Sequence, residues 1–115
     1  MPYVQINTSR KLSAEQKSRI KEALGEVLPK AIPGKSEAGL MVAISDQYTM
    51  YMAGKEQDAA FVDVRCFKET VPEAKKAFTS AVFDILHSVA DFAPELVYLN
   101  FTDYAAWGAR GQLRE

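Results

Sequence analysis

The sequence predicts an α+β domain built from two tandem βαβ units, with a four-stranded mixed sheet and two helices on one of its faces. Three observations carry that expectation. Apolar residues alternate at period two in some stretches and recur at helical spacing in two others. Each helical stretch opens on a Ser/Thr-x-x-Gln/Glu signal, SAEQ and then TVPE. The two halves also match by position. Glu15 and Glu73 lie 58 residues apart, and that offset carries Tyr3 to Phe61, Val4 to Val62, Ile6 to Val64, Ile20 to Phe78 and Leu24 to Val82. AISD, ending at Asp46, matches NFTD, ending at Asp103, at an offset of 57. One domain over residues 1–115 is expected, with an internal pseudo-repeat of roughly 2–46 and 60–103. A right-handed crossover in each unit puts both helices on the same face.

Tyr3–Ser9 alternates, Val4 and Ile6 on one side and Tyr3, Gln5 and Asn7 on the other, which predicts a half-buried strand. Ser13 caps the first helix and Gln16 reaches back to close the box. Ile20, Leu24, Val27 and Leu28 form its apolar stripe, and Pro29 with Pro33–Gly34 ends it, because proline brings no donor and crowds the preceding turn. Leu40–Ile44 is apolar without alternation and reads as a strand covered on both sides. A glycine-containing connection, YMAGKEQD, leads to AFVDVRCF. There Val62, Val64 and Cys66 take one face, and Phe61, Asp63, Arg65 and Phe67 take the other. Thr70 and Glu73 supply a second capping box, with Pro72 tolerated in the first turn. Ala74, Phe78, Val82, Ile85, Leu86 and Val89 follow at helical spacing. LVYLNFT is the fourth strand, with Tyr98 and Asn100 opposite Val97, Leu99 and Phe101. The tail from Tyr104, which carries Trp107 and two glycines, has no assignable pattern.

Composition narrows the function. The 14 basic and 15 acidic residues give a formal charge of −1, which points to neither nucleic acid nor an anionic membrane as partner. The single cysteine, Cys66, leaves no internal disulfide, and no Cys/His cluster suggests a metal. Without an apolar leader or a membrane-length run, a cytoplasmic protein is expected, and non-classical export is compatible with that. A chain of this size buries roughly 60–70% of its unfolded surface, so association would add to a modest core. The helix-free sheet face mixes Tyr3, Phe61, Phe67 and Tyr98 with Gln5, Asn7, Asp63, Arg65 and Asn100. It is either solvated or a subunit interface, and the small core favours association.

The opening MP has a chemical consequence. Proline alone among the standard residues carries a secondary N-terminal amine. With Met1 removed, Pro2 is a base; with Met1 retained, its nitrogen is an amide. From the residues alone, Pro2 could equally set N-end processing or start a strand. Lys35 is by itself an ordinary loop lysine, Tyr98 and Asn100 an interface tyrosine and a strand-end amide, and Arg65 an ion-pair partner of Asp63 or, if free near Pro2, a second anion site. His87 reads as a helix-surface residue, Cys66 as core, and Met41, Met50 and Met52 as packing.

Initial MP before a strand, the lysine after glycine in PGK, the MYMAGK connection and the late VYLNF strand, at these separations, resemble the tautomerase superfamily, and within it the macrophage migration inhibitory factor family. The resemblance covers essentially the whole chain. It implies a homotrimer with sites at subunit boundaries, each built around the amino-terminal proline. It further implies a cofactor-independent keto–enol tautomerase of small α-keto acids of the phenylpyruvate type. Pro2 would be the general base, and Lys35 would meet the substrate carboxylate and help keep Pro2 neutral. Tyr98 and Asn100 would reach into a neighbouring subunit's pocket, with Trp107 as its aromatic wall and Phe67 reshaping the cavity. A CxxC of some members falls on Ala59 and Val62, so thiol-redox chemistry is not implied. Two alternatives stand beside this reading. One is a non-catalytic binding or signalling protein on the same scaffold. The other is a further proline-dependent reaction, hydration or dehalogenation, which would want an acid such as Asp63 or Asp103.

Overall fold

In the computed structural model, which describes residues 1–115, the chain forms eight strands and two α-helices. β1 (Pro2–Thr8), β2 (Met41–Ser45), β5 (Ala60–Phe67) and β6 (Val97–Tyr104) make one sheet in the order β2-β1-β5-β6. α1 (Ala14–Ala31) links β1 to its parallel neighbour β2, and α2 (Pro72–Ala90) links β5 to its parallel neighbour β6. The two units meet through the antiparallel pair β1–β5, where Val4 faces Val64 and Ile6 faces Val62. This is the expected four-stranded mixed sheet.

Both helices cover the same face. Val4, Ile6, Val62, Val64 and Cys66 are completely buried beneath Ile20, Leu24 and Leu28 of α1 and Phe78, Val82 and Leu86 of α2. Alternation then sends the intervening residues outward, where short polar side chains bond along and across the strands. The Tyr3 hydroxyl donates to Gln5 Oε1 at 2.6 Å, and Gln5 Nε2 donates to Asn7 Oδ1 at 3.1 Å.

The capping box of α1 is present as expected, Gln16 N–H donating to Ser13 Oγ at 3.0 Å and Ser13 N–H to Gln16 Oε1 at 2.9 Å. Pro29 does not end the helix. Its missing donor falls in the last turn, and the Ile32 N–H still reaches the Leu28 carbonyl at 2.8 Å. The capping box expected at Thr70 and Glu73 does not form. Val71 is the N-cap, without a side-chain bond, because Thr70 is engaged elsewhere: its hydroxyl donates to Asp103 Oδ1 at 2.9 Å and its N–H to Asp103 Oδ2 at 3.1 Å. Lys75 completes this cluster at 2.9 Å. At the matching place in the first half, Asp46 Oδ2 accepts from the Leu12 N–H at 2.8 Å and pairs with Lys17 at 3.4 Å. In each half a strand-end aspartate thus ties the start of a helix to the sheet.

Other expectations change at the sheet margins. β2 is not covered on both sides: it is an edge strand, with Met41 exposed and the rest half-buried, so its apolar run lacks a partner within one chain. The connection after it folds into a small hairpin, β3 (Tyr51–Met52) and β4 (Lys55–Glu56), turning on Ala53 and Gly54, both at positive φ. The unassigned tail forms a second hairpin, β7 (Trp107–Ala109) and β8 (Gln112–Arg114), turning on Arg110 and Gly111 at φ of 54° and 78°. No helix is long and apolar enough to cross a membrane.

Candidate functional site

The sheet register determines which chain ends meet. Pro2, the first residue of β1, lies opposite Cys66 of β5, and Cys66 lies beside Asp103 of β6. The amino terminus therefore emerges at the ends of β5 and β6, next to the C-terminal hairpin that follows them. A cavity of about 890 Å³ opens here, lined by Met1, Pro2 and Tyr3, by Ala38, Gly39 and Met41, by Arg65 and Tyr104, and by the hairpin from Ala106 to Arg110 with Arg114. Alternation within the hairpin explains its contribution. Trp107 pairs with Arg114 and Ala109 with Gln112, so Trp107, Ala109 and Arg114 share the face that looks into the cavity. Tyr104 and Trp107 pack at a centroid distance of 6.0 Å and form an aromatic wall.

Electrostatically the cavity is cationic. Arg65, Arg110 and Arg114 line it, and no carboxylate does. Arg65 is compensated from outside: its Nε and Nη2 donate to Asp63 Oδ2 at 3.0 and 2.8 Å, and that bond and charge raise its pKa. The α-amine of Met1 is pushed the other way. Burial, then the Lys35 ammonium beside it, hold it below the ordinary value of 8.0. Lys35 is positioned by donating to the Phe67 carbonyl at 3.2 Å. The neighbouring Cys66 thiol is fully buried and, chiefly for that reason, raised above its usual range.

Of the six residues singled out in sequence, the fold brings Pro2 and Trp107 to the cavity walls. Lys35 does not line the cavity but stands beside the amine. Phe67 is a correction. Its ring is buried and forms no part of the lining, and its contribution is the carbonyl that holds Lys35. Tyr98 and Asn100 lie away from the cavity of their own chain, because Tyr98 pairs with Phe61 and Asn100 with Asp63, both well short of Cys66. Tyr98 projects from the helix-free face with 62% of its surface exposed. Asn100 Nδ2 donates to Asp63 Oδ1 at 3.1 Å, which links it to the Asp63–Arg65 pair. Tyr3, Met41, Tyr104, Arg110 and Arg114 were not singled out as cavity residues. The one available signal was the pair of arginines flanking the turn glycine in GARGQLR.

Residues 1–112 match the family model described as macrophage migration inhibitory factor. The fold is shared with solved structures at low identity. Leishmania major MIF2 superposes with a TM-score of 0.92 at 24% identity, covering 99% of this chain and 97% of that one. A macrophage migration inhibitory factor homologue from Prochlorococcus marinus gives 0.87 at 19%, covering 96% and 97%. Pt0534, in a structure inactivated by 2-oxo-3-pentynoate, gives 0.83 at 22%, covering 95% and 93%. No curated sequence relative was found.

Proposed function

This chain belongs to the macrophage migration inhibitory factor family, and from that premise we propose that it is a cofactor-independent keto–enol tautomerase of small α-keto acids of the phenylpyruvate type. The observation that carries the reading is the amine. The α-amine of Met1 sits at a cavity wall next to Pro2, held below its ordinary pKa by burial and the Lys35 charge.

Tautomerisation moves a proton between carbon and oxygen, so it needs a base neutral at working pH and cations to hold the anion. Removal of Met1 makes Pro2 that base. Pro2 is itself buried, and the Lys35 charge would act on its secondary amine, intrinsically more basic than a primary one, as it acts on the amine of Met1. Removal also clears Met1 from the cavity wall beside Lys35, giving that ammonium access to the substrate carboxylate. Trp107 and Tyr104 flank the carbon chain. The active assembly is a homotrimer in which Tyr98 and Asn100 of one protomer complete the cavity of the next. Their exposed face and the uncovered edge strand β2 support that arrangement. Hydration or dehalogenation is less well served, since Asp63 is bonded to Arg65 and Asn100, Asp103 to Thr70 and Lys75, and neither lines the cavity.

Blocking removal of Met1 keeps the Pro2 nitrogen an amide and lowers enol ketonisation at least about 100-fold while the assembly keeps its mass, which follows from the contribution of a positioned base. Undiminished turnover would defeat the reading. The second reading, a non-catalytic binding protein, follows where Met1 is retained, because the Pro2 nitrogen is then an amide and accepts no proton. Intact mass of the purified protein decides between them.

A further inference from the structure

We propose that Arg110 and Arg114 of the C-terminal hairpin form a second anion anchor, which selects α-keto acids carrying a second carboxylate at the far end of the carbon chain. This deepens the tautomerase reading and rests on it for the identity of the first anchor.

Charge pairing separates these two arginines from their surroundings. The fold has five ion pairs, involving Arg10, Lys17, Lys30, Arg65 and Lys75. Arg110 and Arg114 are in none of them and donate no side-chain hydrogen bond, yet both line the cavity. Two unpaired guanidiniums at one wall of a cleft without carboxylates attract an anion, and the planar fork of arginine suits a carboxylate in particular. Arg65, already satisfied by Asp63, reinforces the field without being free to bind in the same way.

Position supplies the second argument. Arg110 occupies the first central residue of a two-residue hairpin turn at φ of 54°, where asparagine, aspartate or glycine is favoured. Arg114 is held by register opposite Trp107, so its guanidinium end and the indole share the cavity-facing side. The Tyr104–Trp107 wall then lies along the hairpin side of the cavity, where it can flank a carbon chain running from Pro2 to the arginines. Among the small α-keto acids proposed above, a member with a second carboxylate engages these two charges, whereas a phenylpyruvate-like monoanion meets only the first anchor.

Trp107 is the only tryptophan, so its fluorescence reports ligand entry whether or not turnover follows. The test titrates the purified protein with 2-oxoglutarate and with 2-oxopentanoate, which share a five-carbon chain and differ in the terminal carboxylate. The dianion binds about tenfold more tightly, the scale of one charge-assisted pair, and the margin shrinks as salt rises. In the Arg110→Gln/Arg114→Gln double variant that margin falls to about twofold, with 2-oxopentanoate still bound and the assembly mass unchanged. Equal binding of the two acids by the unaltered protein overturns the proposal. So does a margin that survives the double substitution, or a variant that loses its assembly and both ligands together, which would make the arginines subunit contacts. A protein that binds the dianion preferentially but ketonises neither enol would retain this anchor and refute the tautomerase reading.

Discussion

Lys35 acts on the amine beside it through charge, and the sign of that effect can be tested. A neighbouring cation disfavours the protonated amine, as it does at Met1, so a Pro2 base becomes neutral at a lower pH than it would without Lys35. Activity that depends on the neutral form therefore rises with pH through that lowered pKa. In Lys35→Gln the rising limb of the kcat/KM profile moves to higher pH, and KM for the acid increases. A limb that stays in place would mean that Lys35 serves binding alone. Asp103 makes a separate residue-scale case. Burial works to raise its pKa, but the bonds from Lys75 and from the Thr70 N–H and hydroxyl prevail and hold it below the usual value of 3.8. Its contribution is thus complete above the unfolded-state value and disappears as pH falls through the folded one. Denaturant unfolding of Asp103→Asn at pH 7 should show a loss of about 1–2 kcal/mol, and the difference from the unaltered protein should close under strong acid.

Among the elements, periodicity made some legible and hid others. β5 and α2 could be read because eight and nineteen residues are long enough to show a period. The two hairpins could not, since strands of two or three residues display none. The cap of α2 was misread because Asp103, thirty-three residues downstream, takes the Thr70 hydroxyl that a local motif would assign to the helix. Leu40–Ile44 was misread because an uninterrupted apolar run does not say whether its cover comes from the same chain. The C-terminal hairpin is the element on which the cavity most depends, and its turn can be weakened without touching the core. Gly111→Ala places a Cβ at φ of 78° and costs about 1 kcal/mol. Because no hairpin residue belongs to the core cluster, faster amide exchange should be confined to Trp107–Arg114 while the melting temperature holds. A global loss of stability would show the hairpin to be integral to the fold.

The whole molecule brings its two chain ends together, and for that reason the site was only partly legible. Pro2 and Trp107 are more than a hundred residues apart, and no spacing rule connects them. The resemblance pointed to both, whereas Arg110, Arg114 and Tyr104 join the cavity only through the sheet register and the fold of the tail. Tyr98 and Asn100 face outward and depend on a neighbouring copy for any role in catalysis. The proposed catalysis rests on the chemical state of one nitrogen, and ¹⁵N NMR of proline-labelled protein observes it directly as pH is varied. The Pro2 signal should be that of a secondary amine, titrating below an exposed prolyl amine. A signal that does not titrate, as an amide would give, or one that titrates as an unburied amine does, contradicts the account.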